Sequence, residues 1–91
     1  MGDDKAFEQL TRRERQVLLA LMRGATAREI SKESYVSLPT VRSQIRSILL
    51  KLGVSSQLAA VVLAYRSGWP AKVAAGSGQS IVETDGLAVG L

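Results

Sequence analysis

The sequence predicts an all-α domain of four helices followed by a flexible tail. Apolar residues recur at three- and four-residue spacing in successive segments, and these segments open on Ser or Thr residues placed to cap a helix. No segment sustains the period-two alternation of a half-buried strand.

Thr11-Arg12-Arg13-Glu14 has the capping-box pattern, Thr at the N-cap and Glu at N3. Val17, Leu18, Leu21 and Met22 follow at helical spacing, and Gly24 is placed to end this first predicted helix. Thr26-Ala27-Arg28-Glu29 repeats the box and opens a short second helix through Ile30 to about Ser34. Ser37 can cap a third, with Pro39 in a first turn where its missing N–H costs nothing. Val41, Ile45, Ile48, Leu49 and Leu52 form the apolar stripe of that helix, and Gly53 closes it. Ser55 or Ser56 caps the fourth, which runs to about Ser67 before Gly68-Trp69-Pro70. Residues 1–9 are expected to be an N-terminal arm or linker, residues 10–70 the domain. Residues 71–91, with Gly76, Gly78, Gly86, Gly90, Ser77 and Ser80, are expected to be a flexible tail, or else a short element that docks through Ile81-Val82.

Composition narrows the chemistry. The 91 residues contain no Cys and no His, which removes a disulfide frame, a zinc finger, a thiol nucleophile and the commonest general base. Glu14, Glu29 and Glu33 read better as helix N3 caps and surface charge than as paired catalytic carboxylates, so no enzyme, cofactor or metal site is expected. The N-terminus is acidic and lacks an apolar run, which argues against a secretory signal. No apolar stretch reaches the ~18 residues of a membrane span. The cytoplasm is therefore the expected compartment.

The formal net charge is +4, and its distribution says more than its size. Residues 1–9 carry Asp3, Asp4, Lys5 and Glu8, a net −2; residues 71–91 carry Lys72, Glu83 and Asp85, a net −1. The middle holds Arg12, Arg13, Arg15, Arg23, Arg28, Lys32, Arg42, Arg46, Lys51 and Arg66 against Glu14, Glu29 and Glu33, a net +7. A helical domain of this charge expects an anionic partner.

The second and third predicted helices, joined by the tight turn Tyr35-Val36-Ser37, have the plan of a helix-turn-helix. On the polar side of the third, Arg42 and Arg46 lie at i,i+4, a like-charge pair that an isolated helix disfavours. Ser43 and Ser47 lie beside them and would let a groove edge approach. Arg42, Ser43 and Arg46 are the candidates to read bases in the major groove, since guanidinium can grip guanine O6 and N7. Arg12, Arg13 and Arg28 occupy first turns, where the helix dipole disfavours cations, so solvent or an anion must attend them. With Ser37, Thr40, Ser47 and Lys51 they form the candidate phosphate set, although compensation of a helix C-terminus also explains Lys51.

The fourth helix, Gln57-Leu58-Ala59-Ala60-Val61-Val62-Leu63-Ala64-Tyr65, is apolar nearly all round. Ala60, Val61 and Ala64 can face the core, leaving Leu58, Val62 and Tyr65 for a partner unless residues 71–91 fold back on them. A symmetric homodimer through this face would present two third helices to half-sites about 10 bp apart or a multiple of that. A helical adaptor docking another protein through the same face is the rival, with Arg42 and Arg46 merely solvated.

Leu10-Thr11-Arg12-Arg13-Glu14, Val17-Leu18, Gly24, Glu29-Ile30, Val36-Ser37, Thr40-Val41-Arg42, Ile48, Lys51-Leu52-Gly53-Val54 and Ala60-Val61 together resemble the LuxR/GerE-type helix-turn-helix domain, over about residues 10–68 without a gap. The resemblance implies a four-helix DNA-binding domain, often the output half of a bacterial response regulator, sometimes standing alone. Such a domain acts on transcription as a dimer on inverted repeats, with RNA polymerase as a further possible partner and the bacterial nucleoid as its place. It puts Arg42 where the family has a Lys or Arg on the DNA face, Ser43 and Arg46 at groove-facing positions, Ser37 and Thr40 at the phosphate-contacting helix start, and Leu58 and Val62 on the dimer face. Gln44 departs from a frequent His, Gln57 from a frequent Arg, and Ser31 and Ser34 from a typical Ala and Leu. At Ser34 the loss of apolar burial, worth ~1.5–3 kcal/mol, is expected to stand unless Tyr35 fills the space. Sigma-factor region four shares the Leu-Thr-x-Arg-Glu opening but lacks the Lys51-Leu52-Gly53-Val54 turn and the fourth helix. The nine residues before Leu10 hold no receiver or ligand-sensing domain, so an excised output domain or a stand-alone regulator is expected.

Overall fold

The computed structural model describes residues 2–70, and these form five helices with no strand among them: α1 (Gly2–Glu8), α2 (Arg12–Met22), α3 (Ala27–Ser34), α4 (Leu38–Leu52) and α5 (Gln57–Ser67). The four predicted helices are α2 to α5. The expected tail lies outside the described residues.

Each predicted start is built as its side chains allow. At Thr11 the hydroxyl accepts from the Glu14 N–H at 3.0 Å while the Thr11 N–H donates to Glu14 Oε1 at 2.8 Å. Thr26 and Glu29 repeat that exchange at 3.1 and 2.9 Å. Ser37 caps α4 through the Thr40 N–H, and Ser56 rather than Ser55 caps α5 through the Ala59 N–H. Gly53 and Gly68 end α4 and α5 in the left-handed region, where glycine carries no Cβ penalty.

The first helix is an addition to the sequence reading, which gave residues 1–9 no element. Seven residues are too few to hold a helix in isolation, and packing supplies the rest. Phe7 is buried and stacks on buried Trp69 with ring centroids 5.5 Å apart, their planes inclined by 16°. Leu10 is buried beside them in the same core.

Helix α4 is the hub, in contact with each of the other four. Val41, Ile45, Ile48 and Leu52 fall on one side at about 100° per residue and are all buried, joined by Val17, Leu18, Leu21, Ile30, Ala60 and Ala64. Between α4 and α5 the chain bends by 54°, and no single helix among the described residues is long and apolar enough to cross a membrane.

Candidate nucleic-acid interface

The buried stripe of α4 fixes what its other side presents. Opposite Val41, Ile45 and Ile48 stand Pro39, Ser43, Arg46 and Leu50, all exposed, with Arg42 along one edge and Thr40 along the other. The three base-reading candidates, Arg42, Ser43 and Arg46, therefore share one open face on a helix clamped from behind. Leu50, 76% exposed, continues the row by one turn. The sequence reading gave Leu50 no place, although its spacing of seven from Ser43 puts it on that face.

At the N-terminal end of α4 the Ser37 hydroxyl donates to Thr40 Oγ1 at 2.9 Å, which leaves the Thr40 hydroxyl proton free to point outward. Arg12 and Arg28 are exposed in the first turns of α2 and α3. These four phosphate candidates remain accessible.

Three others have work inside the fold. The Ser47 hydroxyl donates to Glu14 Oε2 at 2.6 Å, and Lys51 Nζ donates to Glu14 Oε1 at 2.7 Å. Arg13 Nη2 donates to Ser34 Oγ at 2.8 Å and its Nε to Gln44 Oε1 at 3.3 Å. Arg13, Ser47 and Lys51, which the sequence reading sets among the phosphate candidates, thus also tie α2, α3 and α4 together. Lys51 lies in the last turn of α4, as the dipole reading has it, and also pairs with the Glu14 carboxylate of a neighbouring helix.

Glu14 is buried, and burial by itself opposes its ionisation. The hydrogen bonds from Lys51, from Ser47 and from the Thr11 N–H, with the Lys51 charge, outweigh that and hold its carboxyl at about 2. Glu14 thus closes the capping box of α2 and also holds α4 against it.

The serine departures also find partners. Ser31 donates to the Val36 carbonyl, tethering the helix-turn-helix turn to α3. Ser34 donates to the Ile30 carbonyl and accepts from Arg13. Tyr35 does not fill the space at Ser34: it is 97% exposed, and the Arg13 guanidinium occupies that place instead.

On α5, Ala60 and Ala64 are buried and Val61 half-buried, whereas Leu58, Val62 and Tyr65 form an exposed row. The Tyr65 hydroxyl donates to the Met22 carbonyl at 2.8 Å, so its ring is held across the end of α2. Beside this row lies an open groove of about 340 Å³ lined by Leu21, Ala25, Ala27, Leu58 and Val61, among others.

A short helix and a longer one joined by a three-residue turn, the second presenting two guanidiniums and a hydroxyl from a buried apolar seat, have the plan of a helix-turn-helix domain. Residues 8–64 match the family described as bacterial regulatory proteins, luxR family, and the chain belongs to it. It is 40% identical over 60 residues to the transcriptional regulatory protein LiaR of Bacillus subtilis, a match covering 66% of this chain and 28% of LiaR. It is 35% identical over 60 residues to the response regulator protein VraR of Staphylococcus aureus and to that of Staphylococcus epidermidis, covering 66% of this chain and 29% of each. The chain thus spans less than a third of the length of these relatives.

Proposed function

We propose that this domain binds duplex DNA with sequence preference, with α4 in the major groove and α3 crossing the backbone, as the output domain of a bacterial cytoplasmic regulator. The observation that carries the reading is the open face of α4. Arg42, Ser43 and Arg46 stand free on a helix whose far side is buried and whose flank is fixed by Glu14. Arg42 and Arg46 suit guanine edges or phosphates, Ser43 permits close approach, and Thr40, oriented by Ser37, joins Arg12 and Arg28 as phosphate donors around the face. The exposed row Leu58, Val62 and Tyr65 favours a homodimer through α5, which would place two α4 helices on an inverted repeat. RNA polymerase is the further partner such a regulator would meet at a promoter.

The test is binding to a duplex selected from a random pool, compared with random duplex across a salt series. Log affinity is expected to fall with log salt by ~0.9 per phosphate neutralised. Arg46→Ala is expected to lose about 1–3 kcal/mol of discrimination between the two duplexes if Arg46 reads a base. Equal loss on both makes it a phosphate contact. Binding that survives Arg42→Glu removes α4 from the interface, and no binding to any duplex at low salt overturns the proposal and favours the adaptor reading.

A further inference from the structure

Tyr35 is the conspicuous residue that the binding reading leaves unused. It ends α3 in the left-handed region, with φ 55° and ψ 37°, a position where glycine or asparagine is favoured and an aromatic L-residue is strained. The hydrogen bonds of this cap run from the Tyr35 and Val36 N–H groups to the Ser31 carbonyl, and any residue supplies them. The side chain itself is 97% exposed. The described domain therefore gains nothing from the phenol that would offset the backbone cost, and its use must lie outside.

Its place on the molecule says where. At about 100° per residue, Arg28 and Lys32 fall on the side of α3 opposite buried Ile30, and Tyr35 is the residue that follows the last helical turn. All three are exposed, so two cations and an aromatic hydroxyl are open along α3 and its C-terminal cap. Tyr35 lies two residues, and so within about 7 Å of chain, from Ser37, where α4 begins. In a helix-turn-helix the first helix crosses the DNA backbone and the second enters the groove, and Tyr35 stands where one gives way to the other. Tyrosine hydroxyls are among the groups that bind phosphate oxygens.

We propose that Tyr35 is a DNA-backbone contact, its hydroxyl donating to a phosphate oxygen on the strand that Arg28 and Lys32 also follow. This rests on the DNA-binding reading above.

The experiment compares wild type, Tyr35→Gly, Tyr35→Phe and Lys32→Gln for thermal stability and for binding to random duplex over a salt series. Glycine relieves the backbone, so Tyr35→Gly is expected to melt at or above the wild-type Tm while its Kd rises about five- to tenfold. A side chain that served only the fold would move stability down and leave binding alone. The phenol is neutral, so the log–log salt slope is expected to stay as in wild type, whereas Lys32→Gln lowers it by about one. Tyr35→Phe is expected to melt with wild type and bind more weakly. Tyr35→Gly binding within twofold of wild type, or melting below it, overturns the inference while the DNA-binding reading stands. Tyr35→Phe binding as wild type overturns the hydroxyl contact. A wild-type chain that binds no duplex overturns the underlying reading and this inference with it.

Discussion

Lys51 Nζ lies 2.7 Å from Glu14 Oε1, so the last turn of α4 is joined to the first turn of α2 by a partly buried ion pair. Because Glu14 is also the N3 residue of its capping box, one carboxylate terminates a helix, pairs with a lysine and accepts from Ser47. Its folded value of about 2 lies below the ordinary 4.5. The stabilisation it brings is therefore complete above about pH 4.5 and lost as the pH falls toward 2. The exposed side of Lys51 screens part of the effect, leaving about 1–2 kcal/mol. Chemical denaturation from pH 6 to 2 is expected to show that loss in wild type and a flatter profile across the same window in Glu14→Gln. At neutral pH, Glu14→Ala is expected to cost about 2–4 kcal/mol, since it strips the cap and leaves Lys51 and Ser47 without their partner.

Arg13 and Ser34 test whether a polar clamp has replaced an apolar contact. With Ser34 accepting from Arg13 Nη2 at 2.8 Å and Gln44 from its Nε at 3.3 Å, Arg13→Ala is expected to destabilise by about 1–2 kcal/mol. A double-mutant cycle with Ser34→Ala is expected to give a coupling energy of about 0.5–1.5 kcal/mol. A coupling of zero would mean that each residue acts alone. An arginine that only met phosphates would leave denaturation midpoints unchanged.

These two clusters mark where sequence reasoning succeeds and where it stops. Helix starts were legible because a capping box is a local code: Thr11 with Glu14 and Thr26 with Glu29 carry their instructions within four residues. The open face of α4 was legible because its apolar stripe fixes its opposite side. Arg13 with Ser34, Ser47 with Glu14 and Lys51 with Glu14 are 21, 33 and 37 residues apart, and no periodicity reports which of several exposed-looking polar residues meet across a helix pair. Local pattern therefore groups Arg13, Ser47 and Lys51 with the phosphate candidates and carries no sign of their partners inside the fold. Helix α1 was missed because its one strong apolar residue, Phe7, acquires meaning only against Trp69, 62 positions later. The spacing of three between Phe7 and Leu10 was the single local signal.

Phe7 is accordingly the test of whether α1 belongs to the domain. It is buried to 1% exposure and stacked on Trp69, so Phe7→Ala is expected to cost about 3–5 kcal/mol. Phe7→Leu, which keeps an apolar side chain of similar reach, is expected to cost markedly less. Amide exchange adds a second reading: protection of the α1 N–H groups with acceptors, residues 6–10, should vanish in Phe7→Ala before it falls in α4. Loss of α1 protection with no change in the denaturation midpoint would make the helix an ornament rather than part of the core.

Leu58 and Tyr65 separate assembly from stability on a single helix. Leu58 is 73% exposed within the domain, so Leu58→Glu is expected to leave the Tm of dilute protein within a few degrees of wild type. In the assembled state that carboxylate would face apolar Val62 and the ring of Tyr65 across a symmetric contact, where an unpaired charge is costly. Sedimentation is then expected to show concentration-dependent dimers in wild type and monomer in Leu58→Glu. Tyr65→Phe isolates the other role of this face. It removes the hydrogen bond to the Met22 carbonyl, worth about 0.5–1 kcal/mol at so exposed a site, and retains the apolar ring. It is expected to lower stability slightly without weakening association. A wild-type chain that stays monomeric at the highest attainable concentration would count against the α5 dimer, and DNA binding as a monomer would then follow a simple one-site isotherm on a half-site.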